Sequence, residues 1–119
     1  MEKKYIFLLT FTTIDIANII VDIFYDLYKI SLQVKKPNDI MLNGKKLGGI
    51  LTETKLNGTY VKEIVVGIGL NLKKQIFPKQ IDKEATSVEN ELGINIDRVD
   101  VITEFCNRFE KNLINRKII

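Results

Sequence analysis

Histidine and tryptophan are absent from the 119 residues, and cysteine occurs once. Without histidine, the chain can build neither a histidine-ligated metal site nor a nucleophile activated by an imidazole. The single Cys106 cannot form an intrachain disulfide, which favours a reducing compartment and predicts a cytoplasmic protein. We expect this thiol to be buried or half-buried rather than nucleophilic, because no base is available to activate it.

Proline is also scarce, with two residues, and no apolar run reaches the roughly 18 residues that a membrane span requires. A hydrophobic content of 45% with 28% charged residues is typical of one globular domain, which we place at residues 1–119. The net charge is only +3, and no stripe of arginine interleaved with aromatic residues is present. The sequence therefore predicts neither a membrane nor a DNA partner.

The first quarter of the chain predicts a strand followed by a helix. The apolar run Tyr5 to Phe11 is typical of a buried strand. Thr12 then stands three residues before Asp15, as an N-cap does before an acidic third position. Polar residues recur every three or four positions from Ile14 to Lys29, and we expect this helix to cover a sheet with one apolar face: Ile16, Ile19, Ile20, Ile23, Phe24 and Leu27.

The middle of the chain predicts antiparallel strands joined by tight turns. Two Asn-Gly pairs, the strongest two-residue hairpin signal, separate apolar segments. The predicted strands are Leu32 to Lys35, Ile40 to Leu42, Leu47 to Thr54 and Tyr60 to Gly67, with turns at Asn43-Gly44 and Asn57-Gly58. They form a meander.

After Asn71 the pattern predicts a loop, and then helices return. A short helix is expected from Ser87 to Leu92, ended by Gly93. A last helix is expected to open at Asp97 and Asp100, with an apolar face of Val101, Ile102, Phe105, Phe109 and Leu113. The fold class is therefore α+β, a mostly antiparallel sheet with packed helices.

The first hairpin gathers charges and glycines. Two lysine pairs, Lys35-Lys36 and Lys45-Lys46, lie around a turn that brings Asp39 near residue 47. Lysine suits a phosphate or a developing oxyanion, a carboxylate suits Mg²⁺ or an amine, and Gly48-Gly49 lets a ligand approach the backbone. A plain hairpin with solvated lysines and glycines at a bulge explains the same residues.

A second glycine cluster, Gly67-Ile68-Gly69-Leu70-Asn71, ends the last predicted strand. It lacks the third glycine and the following helix of a dinucleotide-binding loop, and no Gly-Lys-Ser/Thr of a P-loop is present. It is either a tight strand end or backbone that lies close to a planar base. In the second case the Asn71 amide can both donate and accept, as adenine recognition requires.

Taken together, these motifs resemble biotin protein ligases. The residues that carry the resemblance are Lys35-x-Pro37-Asn38-Asp39, then Asn43 through Leu51, then Gly67 through Asn71, supported by Phe77-Pro78, Ala85-Thr86-Ser87 and Ile96-Asp97-Arg98. The match runs from about Leu8 to the end of the chain. It implies a class II aminoacyl-tRNA synthetase/biotin ligase-like catalytic domain.

The resemblance also implies a reaction and its participants. Biotin and ATP, with Mg²⁺, give biotinyl-adenylate and pyrophosphate, and a lysine of a biotin carboxyl carrier protein domain then takes the biotinyl group. Lys46 matches the catalytic lysine, and Asp39 matches a catalytic carboxylate that can hold Mg²⁺. The other matching positions are Lys35, Asn38, Gly69 and Asn71 for ATP and adenylate, and Lys46 with Gly48, Gly49 and Ile50 for biotin.

Two departures from the family pattern stand out. Lys36 occupies the place of a tryptophan, and no Gly-Arg-Gly-Arg-like loop precedes Tyr5. The resemblance therefore implies the C-terminal part of a catalytic domain, without the N-terminal biotin/adenylate loop half, the DNA-binding domain or the C-terminal β-domain.

Two expectations follow for such a chain. It should have little or no ligase activity alone, and it should hide an exposed sheet edge by self-association or swapping. Two other functions stay open: a non-catalytic interaction module that reuses the fold, and a lipoate-ligase-like relative.

Overall fold

Two helices lie on one face of a four-stranded antiparallel sheet with strand order β1-β2-β3-β4. The computed structural model describes the backbone of residues 2–115 and the side chains of residues 13–112 other than 54, 60–62 and 64. The elements are α1 (Glu2–Tyr28), β1 (Gln33–Lys35), β2 (Asp39–Leu42), β3 (Lys45–Asn57), β4 (Tyr60–Leu70), α2 (Val88–Leu92) and α3 (Arg98–Asn115). This α+β architecture confirms the predicted fold class.

Helix α1 begins much earlier than the sequence pattern predicts. The predicted strand from Tyr5 to Phe11 is wrong, because those residues are helical, and Thr12 lies inside the helix rather than at its N-cap. A short apolar run does not distinguish a strand from a buried helix. No glycine or proline interrupts the run, and extending a helix is far easier than nucleating one. The helix ends at Tyr28, where Lys29 adopts a positive φ of 56°.

The predicted meander is confirmed, and its turns account for the strand pairing. Asn43 and Gly44 have φ values of 52° and 79°, as a type I′ turn requires, and they place Leu42 opposite Lys45. The second turn is shifted by one residue from its prediction. Asn57 is the last residue of β3, and the turn consists of Gly58, with φ 63°, and Thr59.

The pairing of β2 with β3 contains a β-bulge. Ile40 lies opposite Gly48, but the next residue, Met41, lies opposite Lys46. Leu47 is therefore an extra residue on β3 without a counterpart on β2. Its side chain is fully buried in the core.

The core lies between the sheet and α1, and α3 extends it. Five of the six residues predicted for the apolar face of α1 are buried, whereas Leu27 is 46% exposed. On α3, Val101 is buried, Phe105 and Phe109 are partly buried, and Ile102 is 57% exposed, so the predicted face is correct only in part. Leu113 lies outside the residues whose side chains are described. Cys106 is exposed, contrary to the prediction of a buried or half-buried thiol.

The segment between β4 and α3 folds back onto the start of β3. Lys46 pairs with Ala85 in a parallel bridge, so residues 84–86 continue the sheet where β4 has ended. Helix α2 follows as predicted, capped by the Ser87 hydroxyl, which accepts from the Asn90 N–H, and ended by Gly93 in the left-handed conformation. Within the described part of the chain, no helix combines the length and the apolar character needed to cross a membrane.

Candidate functional site

The sheet face opposite α1 is open in the described part of the chain and is floored by glycine. Gly49 lies opposite Gly69, and Leu51 lies opposite Gly67, so three glycines occupy neighbouring positions on two strands. Leu51 and Val65 beside them are 58% and 50% exposed. A floor of bare backbone flanked by apolar side chains allows a flat ligand to lie close to the sheet.

A lysine and a carboxylate lie at one end of this floor. Lys46 Nζ is 3.2 Å from Asp39 Oδ1, and both side chains are partly exposed. The register places Asp39 directly opposite Gly49, and a Cβ built on Gly49 would lie 3.9 Å from Lys46 Cε. The ammonium, the carboxylate and the glycine floor therefore form one continuous surface.

An open groove of about 590 Å³ contains the Lys46–Asp39 pair and collects further charges. Lys35, opposite Asp39 on β1, supplies a second cation, and Lys83 and Glu84 come from the segment that follows β4. The remaining lining residues are Met41, Gly44, Ile81 and Ala85. With three lysines against two carboxylates, the groove favours an anionic ligand.

The residues predicted to contact biotin do not all face the same way. Gly49 lies on the open face beside Lys46. Ile50 is buried in the core, and its N–H donates to the Asn38 carbonyl at 2.9 Å. Gly48 lies directly against the backbone of β4, and any Cβ there would lie 1.9 Å from the Gly69 carbonyl oxygen. Gly49 and Lys46 therefore lie on the open face, whereas Gly48 contacts β4 and Ile50 lies in the core.

Asn71 follows β4 and joins three segments. Its N–H donates to the Leu47 carbonyl at 3.0 Å, and its carbonyl accepts from the Val88 N–H at 3.0 Å. The side-chain Nδ2 donates to the Thr86 carbonyl at 3.2 Å. This last bond fixes the orientation of the Asn71 amide. The space above the nearby Gly69 is open, because a Cβ built on Gly69 would have no neighbouring atom within 4 Å.

Behind the groove, a buried threonine meets a carboxylate from α2. Thr86 is 2% exposed, and its Oγ1 donates to Glu91 Oε2 at 2.8 Å. Asn43 Nδ2 donates to the same carboxylate at 3.4 Å, and Lys45 Nζ lies 3.9 Å away. The Thr86 hydrogen bond lowers the pKa of Glu91; partial burial opposes this, and Asn43 and Lys45 lower the pKa further.

The described residues offer little for a resident metal ion. No three carboxylate or cysteine side chains come together anywhere in that part of the chain. Asp39, which is paired with Lys46, and Glu84 are the carboxylates that line the groove. So few carboxylates fit Mg²⁺ only when the ion arrives with the phosphates of a substrate, which supply the other oxygen ligands.

Comparison with known proteins identifies the family. A sequence model described as the biotin/lipoate A/B protein ligase family matches residues 7–71, just over half of the chain. The chain belongs to this family. Its matched region includes β1 to β4 and therefore the lysine, the carboxylate and the glycine floor of the candidate site.

The relatives and the structural neighbours are biotin ligases, which confirms the resemblance. The bifunctional ligase/repressor BirA of Bacillus subtilis is 42% identical over 84 residues, covering 69% of this chain and 26% of that protein. The biotin--[acetyl-CoA-carboxylase] ligase of Paracoccus denitrificans is 41% identical over 69 residues, covering 56% of this chain and 29% of the relative. The chain thus spans little more than a quarter of the curated relatives it matches.

The solved structures agree with the sequence relatives. The apo biotin protein ligase of Aquifex aeolicus superposes with a TM-score of 0.76 at 26% identity, covering 95% of this chain and 49% of that one. The Aquifex enzyme in complex with biotin and ATP superposes with a TM-score of 0.67 at 28% identity, covering 82% and 40% of the two chains.

Sequence reasoning did not find the part of the site that lies after β4. It assigned no role to Lys83, which lines the groove, or to Glu91, which accepts from Thr86. The only available signal was a Thr-Ser pair immediately before a short helix, which predicts a cap but not a partner across the fold.

Proposed function

We propose that this chain is part of the catalytic domain of a biotin protein ligase, with a site for biotin and the nucleotide on the open sheet face. Support comes from the Lys46–Asp39 pair at 3.2 Å beside the glycine floor. Related proteins carry the name of biotin ligase, and one solved neighbour holds biotin and ATP. The reaction, the substrates and the carrier-protein partner are proposed for this chain on that basis.

The proposed reaction moves charge past Lys46 in both steps. The biotin carboxylate attacks the α-phosphorus of ATP, the bond to pyrophosphate breaks, and biotinyl-adenylate forms. The lysine amine of a biotin carboxyl carrier protein domain then attacks the acyl carbon, and AMP leaves with the bonding electrons. The ammonium of Lys46 offsets negative charge on the phosphate and carboxyl oxygens in each transition state.

Asp39 is proposed to orient that ammonium and to accept the proton that the incoming lysine amine loses as the amide bond forms. Its carboxylate also suits Mg²⁺ delivered with the nucleotide, which would neutralise phosphate charge. Lys35 adds a second cation on the same groove, while Asn38 and Asn71 hold the strand ends around it. The adenine contact of Asn71 and the backbone approach at Gly69 are proposed from the resemblance and from their position by the floor.

Isothermal titration with a biotinyl-5′-adenylate analogue tests this proposal. We expect saturable binding that Lys46→Ala and Asn71→Ala each weaken by about tenfold or more, the effect of removing a charged or polar ligand contact. Lys55→Ala is the matched control, because Lys55 lies on the same strand in an exposed ion pair with Glu63 at 3.0 Å. Absence of binding by a folded chain, or equal losses at Lys46 and Lys55, would contradict the proposal.

The interaction-module alternative draws on the departures from the family pattern, and one of them lies within the described residues. Lys36, in the place of the family tryptophan, is exposed. A non-catalytic module predicts no ATP-dependent biotin transfer to a carrier domain even when the remaining half of a related ligase is supplied in trans. We expect the isolated chain to show little or no transfer by itself, so the trans experiment distinguishes the two functions.

A further inference from the structure

Two polar residues at the same end of the glycine floor, one on each side of it, are held by the same buried residue. The Thr86 N–H donates to the Lys46 carbonyl at 3.0 Å, and the Thr86 carbonyl accepts from Asn71 Nδ2 at 3.2 Å. Lys46 and Asn71 are 25 residues apart in the sequence, and Thr86 lies on neither of their strands. Small movements of Thr86 therefore displace both residues together.

Thr86 is in turn fixed by its own side chain. Its hydroxyl donates to the Glu91 carboxylate at 2.8 Å, and a hydrogen bond to an ionised acceptor is about twice as strong as one between neutral groups. The Glu91 carboxylate also accepts from Asn43 Nδ2 in the turn that leads into β3. The Glu91 carboxylate thus connects Thr86 and α2 to the turn that leads into β3.

We propose that this Thr86–Glu91 pair, which we term the clasp, is a positioning device that sets Lys46 and the Asn71 amide in register for the ligand. The proposal rests on the proposed function. Neither Thr86 nor Glu91 lines the groove, so both act through the residues that they hold. Burial of the Thr86 hydroxyl, which is 2% exposed, excludes water as a competing donor to the carboxylate on that side.

Removal of the hydroxyl tests the clasp with little change in shape. Thr86→Val deletes the donor and keeps the side-chain volume, and Thr86→Ser restores the donor. Glu91→Ala removes the acceptor and provides a second route if Thr86→Val fails to fold. Thr59→Val, in the exposed turn between β3 and β4, is the matched control for the loss of a threonine hydroxyl.

The first measurement needs no ligand. The Lys46 N–H donates to the Glu84 carbonyl at 2.7 Å, so its hydrogen exchange reports how firmly residues 84–86 are held. We expect about tenfold faster exchange at Lys46, and shifted Asn71 Nδ2 proton resonances, in Thr86→Val and Glu91→Ala. Thr86→Ser and Thr59→Val should match the wild type. Unchanged exchange at Lys46, or an equal acceleration at amides in the middle of α1, would overturn the clasp.

The second measurement uses ATP and biotin separately, with the whole chain. We expect about tenfold weaker ATP binding in Thr86→Val, rescue in Thr86→Ser, and no loss in Ile23→Val, a core variant that lowers stability without touching the site. Equal losses of ATP affinity in Thr86→Val and Ile23→Val would mean that Thr86 acts only through overall stability, and would overturn the clasp. If the wild-type chain binds neither compound, the proposed function fails, while exchange at Lys46 still decides whether the clasp positions that residue.

Discussion

Gly48 lies so close to Gly69 that a Cβ on the former would be 1.9 Å from the carbonyl oxygen of the latter. The obstructing atom is backbone, which cannot rotate away as a side chain can. We expect Gly48→Ala to lower the free energy of unfolding by about 3 kcal/mol, the upper part of the range for overpacking. Chemical denaturation of the two proteins measures the difference.

Gly69→Ala is the contrasting change on the neighbouring strand. No atom lies within 4 Å of a Cβ built there, so we expect stability within about 0.5 kcal/mol of the wild type. The methyl group would stand on the glycine floor and should weaken binding of a biotinyl-adenylate analogue. A large loss of stability in Gly69→Ala, or no loss in Gly48→Ala, would contradict this reading of the β3–β4 contact.

The contribution of Glu91 to stability should depend on pH. Its pKa is lowered, first by the Thr86 hydrogen bond, so the folded state favours the ionised form. The unfolded state binds more protons there, and the stabilisation present above the ordinary glutamate pKa is lost as pH falls through the lowered value. We expect Glu91→Gln to be less stable than the wild type at pH 7, with the difference shrinking below about pH 4. Denaturation midpoints across pH 3 to 7 provide the test, and a constant difference would contradict it.

The core of α1 should be far more sensitive than its outer face. Phe24 is fully buried and packs edge-to-face on Tyr28 at 5.9 Å. Phe24→Ala should lower the free energy of unfolding by about 3 to 5 kcal/mol. The adjacent Tyr25 is 54% exposed, with Lys29 Nζ 5.1 Å from its ring, so Tyr25→Ala should cost less than about 1 kcal/mol. Similar losses in the two variants would show that α1 does not pack as described.

The outer edge of β4 predicts self-association. Among the described residues, β4 pairs with β3 on one side only and spans Tyr60–Leu70, a long edge for an exposed strand. We expect the apparent mass by light scattering to rise with concentration. Val65→Lys, on that strand, should reduce the rise, whereas Val99→Lys on α3 should not, although both valines are exposed. A single monomeric mass at high concentration would contradict the prediction.

The hairpins were predictable because their signals are local. A type I′ turn requires positive φ at both central residues, and Asn43 and Gly44 adopt such values readily. The alternation of apolar and polar residues on either side of the turn defines the strands. The caps of α2, Ser87 and Gly93, were predictable for the same reason. The Tyr5 to Phe11 segment was not, because a short apolar run suits a strand and a buried helix equally, and only the continuous helix around it decides.

The candidate site was predictable in its residue types but not in its assembly. Lys46, Asp39 and Gly49 come from one hairpin, so their proximity follows from the turn. Lys83, Thr86 and Glu91 reach the same region from a segment about 40 residues later, through a backbone bridge between Lys46 and Ala85. Pairings over such separations leave no periodic trace in a single sequence.

The unmatched Leu47 on β3 shifts by one residue the alternation of side chains between the two faces of the sheet. In an uninterrupted strand, residues 46, 48 and 50 would share one face, so Lys46 would point with Ile50 into the core and Leu47 into the groove. Because of the extra residue, the odd-numbered Leu47 and the even-numbered Ile50 both point into the core. Lys46 therefore points to the other face, beside Asp39. Deleting Leu47 would join Lys46 directly to Gly48, leave the ammonium on the open face and remove a fully buried side chain from the core. The bulge therefore allows consecutive residues of one strand to supply Leu47 to the core and Lys46 to the groove.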